Sequence, residues 1–284
     1  MNVSVIFTAD WHLMENNPPC RSDNFLETQL NKIKQIKKLQ RKYNCEVIHA
    51  GDLFEKARPS IFLVARLMKV LPDNFKTILG NHDIPEHNLE LIDKSAVNLL
   101  QKAGKLQILK GNHYNTNTKE YYLLNDKKAA ISHIMTWEGK VPWPGCTDPE
   151  INTFFDRYPE ADIIVTGHNH KTMCVEKNNK YIINPGSLTR HKADQMNHRP
   201  CVFLYDSNTN TISPHYLSIN DNVISREYID IENKKEEKLQ KFIDSIQHKN
   251  INKLSYEDNI NILLNENKIS TKIKQIIQGW LEHE

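Results

Sequence analysis

The sequence predicts an α/β fold, and three observations support that prediction. Strand-length runs of β-branched and aromatic residues alternate with amphipathic stretches over roughly the first 80 residues. After about residue 105, short strand-like runs alternate with turn residues such as Asn125-Asp126, which indicates antiparallel or mixed sheet. From about Ile231 onward, Lys, Glu, Asn, Ile and Leu dominate, and this composition favours two or three helices.

The first half of the chain is predicted to form strands and helices in strict alternation. The apolar positions of the first long stretch follow helical spacing with lysines and arginines between them, and Ser60 or Pro59 marks the start of the second helix. The expected strands are 3–8, 46–50 and 75–79, and the expected helices are 25–43 and 60–71.

The second half is predicted to be rich in sheet. A single helix is expected over 149–158, and Asn178-Asn179 and residues 208–210 are expected to close two hairpins. The expected strands are 106–109, 121–124, 129–134, 162–166, 173–176, 181–183, 202–205 and 212–217.

Composition and charge limit the function classes. A chain of 284 residues is long enough for one large domain or two modest ones. The formal net charge is only +2, from Lys+Arg 37 and Asp+Glu 35, so a polyanion such as DNA must be bound by a local patch and not by bulk charge. No apolar run approaches the roughly 18 residues that span a bilayer, so no membrane interaction is expected.

The cysteines and the N-terminus favour a cytoplasmic location. Cys20, Cys45, Cys146, Cys174 and Cys201 are odd in number and scattered without a C-x-x-C pair, which suits free thiols in a reducing compartment. The first residues lack the basic segment, long apolar stretch and small-residue cleavage site of a secretory signal.

Histidines cluster where predicted strands end, and two pairs have the same spacing. Asp10 and His12 follow the first strand, and His168 and His170 follow the strand over 162–166. Residues two apart on an extended segment point to the same side, so each pair is predicted to offer two adjacent metal ligands. Taken alone, an Asp-x-His pair is more often a polar strand end than a metal site.

Three further strand ends carry ligand-type side chains. Asp52 follows Gly51, Asn81 begins the Asn81-His82-Asp83 motif, and His133 closes another strand. Seven oxygen and nitrogen ligands suit two divalent cations about 3.5 to 4 Å apart, with Asp52 as the bridging carboxylate. The absence of cysteine ligands disfavours a structural zinc site, and manganese is the favoured ion, with iron, catalytic zinc or magnesium as alternatives.

The residues after Asn81 are candidates for the chemistry itself. A metal pair of this kind activates water for an in-line displacement at phosphorus. His82 directly follows an expected ligand and is free to protonate the leaving oxygen or to stabilise the developing charge. Asp83 is a catalytic candidate that would orient His82, although a plain turn or cap role explains it equally well.

The motifs DWH, GDLFE, GNHD, SHIM and GHNH, in this order, resemble those of the calcineurin-type metallophosphoesterase superfamily over roughly residues 5 to 190. The longer strings TADWHL, GDLFEKARPS and NPGSLTR resemble DNA exonuclease subunits of the SbcD type, including smaller phage versions that work with an SbcC or Rad-type ABC ATPase. Ser132 departs from the family pattern, because the residue before the ligand His133 is usually glycine.

This resemblance implies a fold, a ligand assignment and a general acid. The fold is an α/β sandwich of two sheets flanked by helices on both faces (αββα), and His82 corresponds to the family's general acid. Asp52 would belong to both metal sites. The implied ligands are Asp10, His12, Asp52 and His170 for the first metal, and Asp52, Asn81, His133 and His168 for the second.

The resemblance also implies a domain division. Residues 1–220 are expected to form the catalytic domain and 221–284 a helical extension. SbcD-type subunits carry a DNA-capping domain and an ATPase-binding segment, and only about 65 residues follow the last predicted hairpin. The extension is therefore either a reduced capping or partner-binding segment, or a set of helices packed on the catalytic core.

Substrate contacts are predicted from position near these motifs. Arg58 follows the second motif, and Arg190 and His191 follow Pro185-Gly186-Ser187, as do Lys192, His198 and Arg199; solvated surface positions explain them equally well. The aromatic candidates for base stacking are Trp11, Phe54, Trp137 and Trp143. Among these, only Trp11 is tied to the site by its position, and core packing is the better interpretation of Phe54.

Three functions follow from these observations. The leading one is a manganese-dependent DNA nuclease, an exonuclease working with an SbcC-type ATPase and compatible with a homodimer. The second is a phosphatase or a small-molecule or cyclic phosphodiesterase, and the third is a noncatalytic scaffold on the same fold. Neither a Walker A sequence nor a G-x-G-x-x-G motif is present, so nucleotide energy would have to come from another chain.

Overall fold

A computed structural model gives the fold of the chain, and it describes residues 2–114, 116, 118–225, 235, 237–241, 260, 264, 273–275 and 277. The chain divides into two compact units, Met1–Ser225 and Arg226–Glu284. The helical extension expected over 221–284 lies almost wholly outside the described residues, so its role stays a prediction. Among the described residues, no helix is both long and apolar enough to cross a bilayer.

The first unit contains a six-stranded sheet in the order β11-β10-β1-β2-β3-β4. Strands β1 to β4 run parallel to one another, and β10 and β11 extend the sheet beyond β1 in antiparallel pairing. The strands are β1 (Val5–Thr8), β2 (Glu46–His49), β3 (Phe75–Thr77), β4 (Gln107–Ile108), β10 (Cys201–Asp206) and β11 (Thr211–Tyr216).

The second sheet has five strands in the order β5-β6-β7-β9-β8. Its central strands β6, β7 and β9 are parallel, and β5 and β8 pair antiparallel at the two edges. The strands are β5 (Tyr122–Leu124), β6 (Lys127–His133), β7 (Ile163–Gly167), β8 (Met173–Lys177) and β9 (Lys180–Asn184).

Helices cover the outer face of each sheet. The first sheet packs against α1 (Phe25–Tyr43), α2 (Ile61–Val70) and α3 (Ala96–Lys102), and the second against α4 (Phe154–Arg157). Alternation along the strands divides the core: Ile6 faces the first helical layer, whereas Val5 and Phe7 face the second sheet. The two-sheet αββα sandwich is therefore confirmed.

The helix boundaries follow from local sequence signals. Asn24 begins α1 by accepting a hydrogen bond from the Glu27 N–H, and Asn44 ends it in the left-handed conformation. Ser60 caps α2 through the Leu63 N–H, as its position predicted. The helix expected over 149–158 is shorter than predicted, since a 3₁₀ turn at Ile151–Thr153 precedes α4.

Two features differ from the sequence prediction. Strand β4 was expected in the antiparallel or mixed region, yet it pairs parallel with β3 and extends the first sheet. Helix α3 was not predicted; it begins at the Ser95 cap, whose hydroxyl accepts from the Asn98 N–H. A helix of only seven residues carries too little periodicity for a sequence pattern to indicate it.

Candidate metal centre and adjoining cleft

The carboxyl ends of the parallel strands carry the candidate ligands. Asp10, Asp52 and Asn81 follow β1, β2 and β3, which are parallel neighbours in the first sheet. His133 ends β6 and His168 follows β7, which are parallel neighbours in the second sheet. Parallel strands end at the same edge of a sheet, so these side chains meet where the two sheets face each other.

One group of ligand atoms forms around His12. Its Nε2 lies 3.1 Å from His170 Nε2 and 4.0 Å from Asp10 Oδ1. Asp52 Oδ2 is 3.4 Å from the same His12 nitrogen. Two ligands bound at about 2.1 Å to one ion lie about 3.0 to 3.4 Å apart at octahedral or tetrahedral angles, so most of these separations suit a shared cation.

A second group forms around His133. Its Nε2 lies 3.1 Å from Asn81 Oδ1, 3.2 Å from Asp52 Oδ2 and 3.2 Å from His168 Nδ1. Asn81 Oδ1 is also 2.9 Å from His168 Nδ1. Asp52 Oδ2 contacts both groups, so the structure places this carboxylate where a bridging ligand would lie.

The hydrogen bonds of the imidazoles fit metal binding. His133 Nδ1 donates to the Ala50 carbonyl at 2.7 Å, and His12 Nδ1 donates to the Glu55 carboxylate at 2.8 Å. In the neutral rings, both Nε2 atoms therefore turn a lone pair toward Asp52. Two nitrogen lone pairs and a carboxylate oxygen repel one another unless a proton or a cation lies between them. An imidazole whose other nitrogen donates to a carbonyl or carboxylate is typical of a metal ligand.

The pKa shifts of the buried groups also indicate that this site favours a positive charge. Burial opposes protonation of His133, but Asp52 and Asp10 outweigh it and raise its pKa to about 9. Burial alone would raise the pKa of Asp52, yet His133 and His12 hold it below its ordinary value. Burial, partly offset by His133, raises the pKa of Asp10 to about 7. A divalent cation would balance the negative charges of the Asp10 and Asp52 carboxylates.

The backbone is left-handed and not extended at four of the seven candidate ligands. Asp10, His12, Asp52 and His168 have positive φ angles between 45° and 79°. The expectation that each pair points to one side of an extended segment is therefore wrong, although the residues still converge. His168 turns to the second group and His170 to the first, because the left-handed residue changes the chain direction between them.

Two glycines allow the ligand loops to approach each other. Gly51 has a φ of 94°, and a Cβ there would lie 2.5 Å from His133 Nδ1. A Cβ on Gly80 would overlap the backbone nitrogen and the carboxylate of Asp52. Both positions therefore need glycine for His133 and Asn81 to reach Asp52.

Asp83 supports the loops and does not orient His82. Its buried carboxylate accepts the backbone N–H groups of Asp52, Leu53 and Gly80 at 2.8 to 3.0 Å. The catalytic role predicted for Asp83 is therefore corrected to a structural one, because its oxygens are occupied by backbone donors that tie the second and third motifs together.

His82 borders the cleft beside the first group. Its ring centroid is 4.7 Å from that of His12, and its Nδ1 donates to the Glu55 carbonyl at 2.8 Å. This hydrogen bond leaves Nε2 as the nitrogen available for proton transfer. Glu55 thus holds two histidines, one through its side chain and one through its backbone; the GDLFE motif contained this residue, but its role was not predicted.

Two of the predicted substrate contacts are wrong. Trp11 is fully buried; it packs against Phe75 and His49 and donates to Thr8 Oγ1, so no base can stack on it. Arg190 is also buried, and its guanidinium donates to backbone carbonyls of Met196 and Asn220. Proximity to a motif in sequence did not reveal that both side chains turn into the core.

The other two predicted contacts have different environments. Arg58 is exposed and pairs with Glu86 at 3.5 Å. His191 lies at the metal centre, with its ring centroid 5.0 Å from that of His170 and 5.5 Å from that of His12. Burial and the neighbouring His12 lower the pKa of His191 to about 3, which keeps this imidazole neutral.

A large open cleft of about 1160 Å³ adjoins the ligands and extends beyond them. His12, Asp52, His168 and His170 line one part of it, together with His82. Sequence reasoning missed Tyr216, which belongs to no motif, and Lys171, although it directly follows His170 in the sequence. The remaining wall residues include Met135, Trp143, Asp148, Lys192, Asp194, His198 and Arg199.

A sandwich with paired carboxylate and imidazole groups at its strand ends is the arrangement of a metal-dependent phosphoesterase. Residues 3–209 match the family model of the calcineurin-like phosphoesterase superfamily domain. The chain therefore belongs to the calcineurin-like phosphoesterase superfamily, whose members depend on divalent metals.

Several solved structures are similar in fold at low sequence identity. A novel archaeal phosphodiesterase is 15% identical, with 75% of this chain and 99% of that chain covered and a TM-score of 0.43. A metallophosphoesterase from Sphaerobacter thermophilus is 14% identical, with 76% of this chain and 89% of that chain covered and a TM-score of 0.41. Zinc-complexed Vps29 from Entamoeba histolytica is 16% identical, with 76% of this chain and 99% of that chain covered and a TM-score of 0.38.

Proposed function

We propose that this protein is a manganese-dependent DNA nuclease, acting as an exonuclease on phosphodiester bonds. The observation that carries the proposal is the joining of two ligand groups through Asp52 Oδ2 at one end of a cleft of about 1160 Å³. A cleft of this size exceeds what one phosphate group needs, so it suits a substrate that extends beyond the reacting phosphorus. The NPGSLTR and GDLFEKARPS strings favour DNA within the family.

The residues of the chain have distinct tasks in such a hydrolysis. When bound, two divalent cations supply Lewis acidity at the phosphate and a lowered pKa for water. Asp52 would hold both cations, with Asp10, His12 and His170 on one side and Asn81, His133 and His168 on the other. His82 would donate a proton from Nε2 to the leaving oxygen, while its Nδ1 stays fixed on the Glu55 carbonyl.

The metal and the partners belong to the same proposal. Mixed carboxylate, amide and imidazole donors suit manganese, and iron, zinc or magnesium could occupy the same positions. An SbcC-type ATPase would supply nucleotide energy, since this sequence has no Walker A motif. A homodimer would be compatible with this assembly.

Hydrolysis of matched substrates tests the function. We would assay the full chain on end-labelled single-stranded and double-stranded DNA, in Mn²⁺ and in Mg²⁺, alongside a small chromogenic phosphodiester. Release of mononucleotides from DNA, faster in Mn²⁺, supports the proposal. Hydrolysis of the small diester with intact DNA favours a small-molecule phosphodiesterase, and no hydrolysis of any substrate by the metal-loaded protein favours a noncatalytic scaffold.

A further inference from the structure

The cleft has a second part that the metal centre does not use. Beyond the ligands, its walls come from the segment between β6 and α4, the segment before β10, and the end of β11. Two aromatic side chains and three cations lie there that the hydrolysis proposed above does not use. They are Trp143, Tyr216, Lys171, Lys192 and Arg199.

Both aromatic rings are open to solvent. Trp143 is 47% exposed and Tyr216 is 50% exposed, in a protein whose Trp11 is fully buried. The Arg199 guanidinium lies 4.6 Å from the centroid of the Tyr216 ring. An exposed indole and an arginine-stacked phenol are surfaces on which nucleobases stack, and such stacking tolerates any base.

The cations of the cleft are exposed and without acidic partners. Among the described residues, Lys171, Lys192 and Arg199 form no ion pair, whereas surface cations elsewhere do. Arg41 pairs with Asp73 at 3.4 Å, and Lys102 pairs with Asp93 at 3.0 Å. Unpaired cations next to a phosphoester site are available for further phosphates of a chain. Asp148 and Asp194 line the same cleft, so the three cations leave a small local excess of positive charge in a protein of net charge +2.

We propose that this part of the cleft binds unpaired nucleotides of a DNA strand next to the scissile phosphate. Trp143 and Tyr216 stack on bases, and Lys171 and Lys192 contact the phosphates between them. Small-molecule pockets begin at about 300 Å³, so a cleft of about 1160 Å³ has room for more than one nucleotide. The bases must be unpaired, because a base inside a duplex already has both faces stacked. This binding mode rests on the nuclease function proposed above.

Binding is the first test, and it does not depend on turnover. In a His82→Ala background with Mn²⁺, the affinity for a fluorescein-labelled oligothymidine is measured by anisotropy. We expect Trp143→Ala and Tyr216→Ala each to weaken binding by about 5- to 150-fold, the range of one lost stacking contact. Equal affinity of these variants and their parent would overturn the proposal.

Phe62→Ala is the matched control for Tyr216→Ala. Phe62 is 52% exposed and lies under the Arg66 guanidinium at 5.6 Å, so it repeats the arginine-stacked arrangement on a surface outside the cleft. We expect its variant to bind the oligothymidine like its parent. A loss of affinity equal to that of Tyr216→Ala would overturn the proposal, because the effect would then not belong to the cleft.

Cleavage is the second test, and it separates this inference from the nuclease proposal. A blunt duplex is compared with the same duplex carrying three mismatched terminal pairs. We expect wild-type protein to prefer the frayed end, and Trp143→Ala to lose that preference. Cleavage of DNA without a preference for the frayed end, or with the same preference in Trp143→Ala, would overturn this inference. The proposed nuclease function would not be affected by that result. Intact DNA beside a hydrolysed chromogenic diester would overturn both.

Discussion

Asp52 differs from the other ligands because one oxygen of its carboxylate contacts both groups. Its Oδ2 lies 3.4 Å from His12 Nε2 and 3.2 Å from His133 Nε2, whereas Oδ1 accepts the His82 N–H at 2.9 Å. His82 is not assigned to either group, and the bond from its Nδ1 to the Glu55 carbonyl leaves Nε2 free to transfer a proton. Metal binding and proton transfer are thus assigned to different side chains.

This separation predicts different outcomes for two single substitutions. His82→Ala is expected to lower hydrolysis by about 10²- to 10⁴-fold, the range for a general acid, and to leave metal binding nearly intact. Asp52→Ala is expected to lose both, because Asp52 Oδ2 lies between the ligand nitrogens His12 Nε2 and His133 Nε2. Titration calorimetry with Mn²⁺ and a chromogenic diester assay measure the two effects. Equal loss of metal in the two variants would refute the assigned roles.

A second prediction at the residue scale concerns Glu55. Its carboxylate accepts from His12 Nδ1 at 2.8 Å and fixes which nitrogen of that ring faces the metal site. Removing such an outer contact typically weakens metal binding by about 10- to 100-fold, and we expect this for Glu55→Ala in a Mn²⁺ titration. Glu86→Ala is the matched control, since Glu86 is exposed and pairs with Arg58. Unchanged affinity in Glu55→Ala would show that His12 needs no such support.

At the scale of elements, the junctions after the strands form the site. Strands β1, β2, β3 and β7 end before their ligands, and a left-handed residue or a closely packed glycine turns the chain there, whereas His133 is itself the last residue of β6. Asp83 fixes the junctions after β2 and β3 together through backbone N–H groups. The sheets set the distance between the loops, and the junctions set the direction of the side chains.

Gly80→Ala tests this account of the junctions. Its Cβ would overlap the Asp52 backbone and carboxylate, so we expect a loss of about 1 to 3 kcal/mol in unfolding free energy and weaker Mn²⁺ binding. Gly104→Ala is the control: its φ is +65° but nothing lies within 4 Å of the added Cβ, so only a backbone cost of about 1 to 2 kcal/mol is expected. Chemical denaturation measures both. Full Mn²⁺ affinity in Gly80→Ala would contradict the close approach.

At the scale of the whole molecule, the metal centre joins the two sheets. The His168 N–H donates to both oxygens of Asp10, and His133 Nδ1 donates to the Ala50 carbonyl, so residues of the second sheet bond to the ends of the first. A cation shared by ligands from both sheets would add to these contacts, and it could bind this way only in the folded state.

Metal binding should therefore raise thermal stability. A ligand at 100 times its Kd adds about 2.7 kcal/mol, and for a domain of this size each kcal/mol raises Tm by about 2 to 4 °C. We expect Mn²⁺ to raise the Tm of chelator-treated protein by about 5 to 10 °C in differential scanning calorimetry. Asp52→Ala should show little or no increase, and an equal rise in both proteins would indicate metal bound elsewhere.

Local patterns predicted most elements but not the direction of individual side chains. The periodicity over 25–43 predicted α1 to the residue, because the apolar face of a helix is a local signal. Trp11 was expected to meet substrate because it stands between two ligands, yet it turns into the core next to Phe75. Tyr216 was missed because a surface tyrosine on an edge strand has no sequence signature.

The sequence by itself determined the order of strands and helices and the kinds of donor atom at the strand ends, since hydrophobic periodicity and motif chemistry are encoded by neighbouring residues. Tertiary structure alone decided which donors share a group, such as His170 with His12 across 158 positions, and which aromatic rings line the cleft. The physical reason is that these juxtapositions depend on parallel strand register and on left-handed junctions between distant segments, which no local pattern specifies.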